Sequence, residues 1–192
     1  IVTGVQTCAL PICHLVDGVA FVVHCAATVR GDSFSKFEHI NVEGTRNLLY
    51  AITEQDKWPR FLLISSLAAR NPELSWYAGS KYLCEQLLTG YSGLLSTIFR
   101  PTAVYGPGDK ELKPLFQAMQ RGVLPVIGGI HNRFGLLHVY DLVAAIQAWL
   151  ASDQSINGIF GLDDGTPGGY RYQGLSVLAQ RVWKRPVYCI TI

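Results

Sequence analysis

No charge of one sign dominates this sequence, no apolar run is long enough to cross a bilayer, and no two cysteines carry the spacing of a metal or redox motif. The 192 residues hold 16 Lys and Arg against 14 Asp and Glu, a formal charge of +2, which offers nucleic acid or another polyanion little to hold. Runs such as Gly18 to Val23 break well short of the ~20 residues a spanning helix needs, so no membrane partner is expected. The five cysteines, at 8, 13, 25, 84 and 189, include no Cys-x-x-Cys and no histidine at a zinc spacing, and no metal site is expected. The first residues lack the basic start and clean apolar core of a secretory signal, so reduced thiols in a cytoplasm are the expectation. Neither an internal repeat nor a low-complexity linker divides the chain. Its 49% hydrophobic content suffices for one substantial core.

Glycine is missing where a dinucleotide-binding turn needs it. Val2-Thr-Gly4 has the letters of a strand end entering such a turn, yet the next glycine is Gly18. A pyrophosphate loop of the Gly-x-Gly-x-x-Gly type therefore cannot be built there. Residues 1–12 read instead as a non-native, adapter-derived segment, with native sequence from 13 onward.

What is present centres on Ser65-Ser66 and on Tyr77-Ala-Gly-Ser-Lys81. Phe61 to Ile64 is a short apolar run of strand formers, which puts both serines at the C-terminal end of a buried strand, the end where α/β sheets bind ligands. Tyr77 and Lys81 stand four apart in a stretch that reads as a helix closed by Gly90, so they share a face. An ammonium near a phenol favours the phenolate, and a serine hydroxyl can bond the oxygen that the phenol protonates, which makes a general acid/base for a carbonyl or alcohol. The plain alternative is a tyrosine at the core edge beside a solvated lysine. Elsewhere, Ala20 to Cys25 reads as a strand in which His24 is a satisfied core-edge histidine. Phe37 to Ile52 reads as one amphipathic helix with Asn41 near its apolar stripe, and Ser96 to Arg100 as a strand stopped by Pro101. A Gly/Pro-rich loop follows to Asp109, then a helix from Glu111 to Arg121 with Pro114 near its start. Short strands are read at Leu124 to Ile127, Phe134 to Val139 and Gly158 to Gly161. Asp141 is read as a helix N-cap, Asp163 to Gly169 as a turn-rich loop, and Pro186 to Ile192 as a strand-like end without a closing helix.

Four more segments, Val22-Val-His-Cys-Ala-Ala27, Asn41-Val-Glu-Gly-Thr-Arg-Asn47, Arg100-Pro-Thr-Ala-Val-Tyr-Gly-Pro-Gly108 and His138-Val-Tyr-Asp141, stand in order along the chain. With the Ser, Tyr and Lys they make the chain, from Leu15 to Val187, resemble the extended branch of the short-chain dehydrogenase/reductase superfamily. That branch holds NAD-dependent epimerases and dehydratases and enzymes like dihydroflavonol reductase and hydroxysteroid dehydrogenase.

The resemblance implies an α/β fold: a partial Rossmann-like parallel sheet flanked by helices, in residues 13–192, with a small C-terminal substrate lobe from roughly 110–135 and 158–192. It also implies that the chain is a fragment, inactive by itself. By carry-over Ser66 orients the substrate oxygen, with Ser65 the fallback. Tyr77 exchanges the proton, Lys81 lowers the phenol pKa and holds the nicotinamide ribose, and Asn41 anchors a relay water, with a helix asparagine that bonds only backbone an equal alternative. Ala26, Ala27, Tyr77, Lys81, Pro101 and Val104 are the implied contacts to NAD or NADP, with packing an equal alternative for Val104. The implied activity is hydride transfer to or from a small-molecule substrate by a dehydrogenase or reductase, and the resemblance leaves room for a homodimer in the whole protein. A nucleotide-sugar epimerase or dehydratase, or a non-catalytic dinucleotide-binding relative, is the alternative.

Overall fold

The computed structural model describes residues 9–152 and 156–191. The readings at the amino terminus, adapter-derived or strand and turn, lie largely outside the described residues. Within them Ala9–Val16 is a helix, α1. The chain forms two compact units, one running to Pro101 and including Gln147–Gly161, the other made of Thr102–Ile146 and the residues from Leu162 on.

In the first unit four strands form a sheet in the order β1 (Phe21–His24), β2 (Arg60–Ile64), β3 (Ser96–Pro101), β8 (Gly158–Leu162). β1 runs parallel to β2 with Phe21 opposite Arg60 and His24 opposite Leu63, and β2 runs parallel to β3 with Phe61 opposite Ser96 and Ile64 opposite Phe99. Phe61, Leu62 and Leu63 have no exposure, as a strand covered on both faces requires; burying each such side chain contributes roughly 1.5–3 kcal/mol. Phe61 and Leu63 pack in one cluster with Ile12 and Val16 of α1, Leu49 and Ile52 of α3 (Gly44–Thr53), and Leu88 of α4 (Trp76–Thr89). On β3, Thr97 accepts the indole N–H of Trp149 at 2.9 Å, from the end of α6 (Val139–Ala151). Arg60 stacks on Trp149 at 4.7 Å and on Phe21 at 5.3 Å while donating to the Trp149 and Ser152 carbonyls at 3.0 and 2.6 Å. A cation there meets two aromatic faces and the negative end of a helix dipole at once.

The single helix expected over Phe37 to Ile52 is interrupted. α2 (Phe34–Phe37) passes into a π-helical turn, Glu38–Glu43, before α3 begins. The wider turn carries Asn41, as such insertions often do at working sites. Nor does β3 stop at Arg100. It includes Pro101 because the ladder to β2 ends at the bond from the Ser65 N–H to the Phe99 carbonyl, so the missing proline N–H falls beyond the pairing.

In the second unit three strand pairs form. β4 (Ala103–Tyr105) is parallel to β7 (Leu136–His138), β5 (Val123–Val126) is parallel to β10 (Tyr188–Thr191), and β6 (Arg133–Phe134) is antiparallel to β9 (Tyr170–Arg171). Met119 of α5 (Lys113–Gln120), Leu124, Val126 and Leu136 of the strands, and Leu175 and Ala179 of α7 (Tyr172–Trp183) make its core. α7 was not expected from the sequence. Asp141 is not an N-cap, because α6 already begins at Val139 and Asp141 falls in its first turn; the His138 ring accepts the Tyr140 N–H at 3.3 Å instead.

Candidate active site

The parallel register of β1 and β2 brings the residues after both strands, Cys25 to Thr28 and Ser65-Ser66, to one edge of the sheet. Ser66 is extended, with φ −154°, and its hydroxyl accepts the Ala68 N–H at 3.2 Å to cap a 3-10 turn, Leu67–Arg70. Ser75 then caps α4 by accepting the Ala78 N–H at 3.1 Å. The cap fixes where the helix starts, so Tyr77 falls in the first turn and Lys81 one turn later, on a face that also buries Cys84, Glu85 and Leu88.

Burial pushes the Tyr77 phenol up, a hydrogen bond with Ser66 pulls it down, and Cys84 adds to the rise. Lys81 donates to the Ile64 carbonyl at 2.7 Å. Lys81 is 3% exposed. Burial holds its ammonium below the usual lysine range, while Cys84, Cys25 and Glu85 work against that lowering. A phenol beside a serine hydroxyl, with a cation one helical turn away, can pass a proton to or from a carbonyl or alcohol oxygen set between the two hydroxyls.

Ser65 takes a different partner. Its hydroxyl donates to Glu85, which also accepts from Arg100 at 2.9 and 2.5 Å. Asn41, 1% exposed, lies beside this constellation: its Oδ1 accepts the Thr28 N–H at 2.7 Å, and its Nδ2 donates to the Thr28 carbonyl at 3.1 Å and to Ser80 at 2.9 Å. Ser80 in turn donates to the Tyr77 carbonyl at 2.8 Å. Ala26 and Ala27 are half-buried in the loop that Thr28 ends. Pro101 is buried at the end of β3. Val104 is not in an irregular loop as expected but in β4 of the second unit, opposite Leu137, because Ala103 to Tyr105 is extended and paired. His24 is the buried, bonded histidine the sequence suggested, at 2.9 Å from the Thr45 hydroxyl.

Two sets of residues escaped the sequence reading. One is Thr28 and Ser80, the partners of Asn41; the other is the Glu85–Arg100 pair. Glu85 did carry a signal, since it continues the i, i+4 row from Tyr77 and Lys81 along a face otherwise apolar. Among the described residues no three of His, Cys, Asp and Glu gather as a metal site needs, and no helix is long and apolar enough to cross a membrane.

Comparison with known proteins extends the picture. The chain is similar to a ceramide reductase of Caulobacter vibrioides, 34% identical over 173 residues, which cover 90% of this chain and 53% of that protein. It is also similar to a UDP-glucose 4-epimerase of Vibrio cholerae, 29% identical over 172 residues, covering 75% and 52%. The chain thus spans about half the length of these curated relatives. Among solved structures, the UDP-glucuronic acid 4-epimerase of Bacillus cereus, in complex with UDP-glucuronic acid and NAD, superposes with a TM-score of 0.80 at 19% identity, covering 94% of this chain and 65% of that one; at that identity the likeness speaks for the fold. The family described as "NAD dependent epimerase/dehydratase family" matches residues 12–160, the stretch that holds the parallel strands β1 to β3 together with Ser66, Tyr77 and Lys81, and the chain belongs to that family.

Proposed function

We propose that the complete gene product is an NAD(P)-dependent oxidoreductase in which Tyr77 exchanges a proton with a substrate oxygen that Ser66 orients. The observation that carries this reading is the placement of Ser66 at the end of β2 and of Tyr77 and Lys81 one turn apart on α4, with Lys81 buried and donating to the Ile64 carbonyl at 2.7 Å. The raised phenol is protonated at neutral pH and so is set to give its proton to a carbonyl oxygen. The nicotinamide, when bound, supplies or takes up the hydride.

The residues fit the ribose end of such a cofactor. An ammonium has three donors, and Lys81 gives one to the Ile64 carbonyl; the others suit a pair of ribose hydroxyls. Ala26 and Ala27 let the backbone approach the cofactor closely, in a loop that Asn41 holds through both backbone groups of Thr28. The backbone carbonyl of Asn41 is taken by the Thr45 hydroxyl and the Cys84 thiol, whereas its Oδ1 accepts from the Thr28 N–H and has a second lone pair for the relay water assigned to it. The pyrophosphate end is not matched: the sequence contains no Gly-x-Gly-x-x-Gly.

The match to a ceramide reductase supports a reductase acting on a ketone-bearing lipid, and so do the apolar side chains just before Tyr77, Leu74 at 73% exposure and Trp76 at 51%. A nucleotide-sugar epimerase is the second reading, supported by the Vibrio cholerae match. Stoichiometry separates them, since a reductase consumes NADH and an epimerase returns its hydride. The test is Tyr77→Phe in the complete gene product, assayed with NADH and either a keto-ceramide or a UDP-sugar. Turnover is expected to fall by about 10²–10⁴-fold with NADH affinity kept. Unchanged turnover overturns the assignment.

A further inference from the structure

We propose that Glu85 is a positioning residue of this site, one carboxylate of α4 that ties the end of β2 to the end of β3 one turn past Lys81; this rests on the reading of Lys81 as the group that holds the nicotinamide ribose. Glu85 is 3% exposed. One of its oxygens accepts from Ser65 and from Arg100 Nε at 2.9 Å, and the other accepts from Arg100 Nη2 at 2.5 Å. Each partner adjoins a residue of the site. Ser65 precedes Ser66 and follows Ile64, whose carbonyl holds Lys81. Glu85 is one turn past Lys81, and Arg100 precedes Pro101. A shift of the carboxylate therefore moves the Ser66–Tyr77 pair and the Lys81 anchor together.

Cohesion alone does not account for the pair. Desolvating two charges is expensive, and apolar side chains of the same volume hold elements together at least as well. What the ions add is direction and field. Lys81 faces His24 and Cys25 from β1 and the loop after it, and Cys84 and Glu85 from its own helix. Burial keeps His24 neutral and holds both thiols in their protonated form. Glu85 is the one carboxylate in that set. Its charge, partly answered by Arg100, favours the ammonium that burial disfavours.

The experiment is NADH binding by the complete gene product, followed by fluorescence from pH 6 to 11, with thermal melting alongside. Wild-type affinity should decline at alkaline pH as Lys81 loses its proton. In Glu85→Gln that decline should begin about one pH unit lower, with binding on the limb about tenfold weaker than wild type. Arg100→Gln, which leaves the carboxylate unanswered, should move the limb the opposite way. Glu85→Asp should restore it. The opposed signs let either charge variant decide the matter should the other fail to fold. If the limbs of the folded variants coincide with wild type while only melting temperature drops, Glu85 is structural and the proposal falls. Lys81→Met separates the two layers: NADH affinity equal to wild type there overturns the ribose role itself, whereas weakened binding together with unmoved limbs overturns only the role of Glu85.

Discussion

His24 shows how burial sets protonation at the scale of single side chains. The Thr45 hydroxyl donates to the Asn41 carbonyl at 2.7 Å, so it accepts from the His24 ring, which carries a proton on Nε2. Burial, and then the charge of Lys81, bring its pKa from 6.5 to about 4. A base whose folded pKa lies below its unfolded value contributes stability that is present above pH 6.5 and is lost as the pH falls from there towards 4, about 3 kcal/mol in all. His24→Gln keeps a donor for Thr45 and has no proton to gain. Its urea-unfolding free energy should therefore fall less than wild type's between pH 7.5 and pH 4.5, by up to that amount; equal losses would count against the assignment. Among the site residues, Ser66, Tyr77 and Lys81 were legible because their relation is local, a strand end and one helix face. The Glu85–Arg100 pair was not, because whether an arginine at a strand end meets a glutamate on a helix depends on packing that spacing does not encode.

Helix α7 is the element the sequence could have yielded. Its buried residues Tyr172, Leu175, Ser176 and Ala179 fall at i, i+3, i+4 and i+7, but Gly174, the valines and the glycine-rich loop before it dilute the pattern. The π-helical turn at Asn41 was out of reach, since one inserted residue leaves hydrophobic periodicity almost unchanged over so short a run. The strands at Phe61 and Ser96 were legible because a doubly covered parallel strand is apolar throughout. α7 ends on Lys184 in the left-handed conformation, φ 51°, where a side chain is strained and glycine is not. Lys184→Gly is expected to stabilise the second unit by about 0.5–1 kcal/mol, read as a higher melting temperature, whereas Lys184→Val should lower it.

For the whole molecule, the missing glycines outweigh the intact Ser, Tyr and Lys. With no Gly-x-Gly-x-x-Gly to present backbone N–H groups to a pyrophosphate, the 192-residue chain by itself should bind NADH weakly, with Kd above about 1 mM. Fluorescence titration checks this, and micromolar binding would show that residues before the first helix supply the turn after all. The return of Gln147–Gly161 to the first unit has a consequence for synthesis. β3 ends at Pro101, yet its outer neighbour β8 begins only at Gly158. At roughly 5–20 residues per second, the ribosome leaves that edge open for several seconds while it makes most of the second unit. A premature stop anywhere in that interval would remove a strand from the first unit as well, so a nonsense mutation in the Thr102–Ile146 part of the second unit disables both.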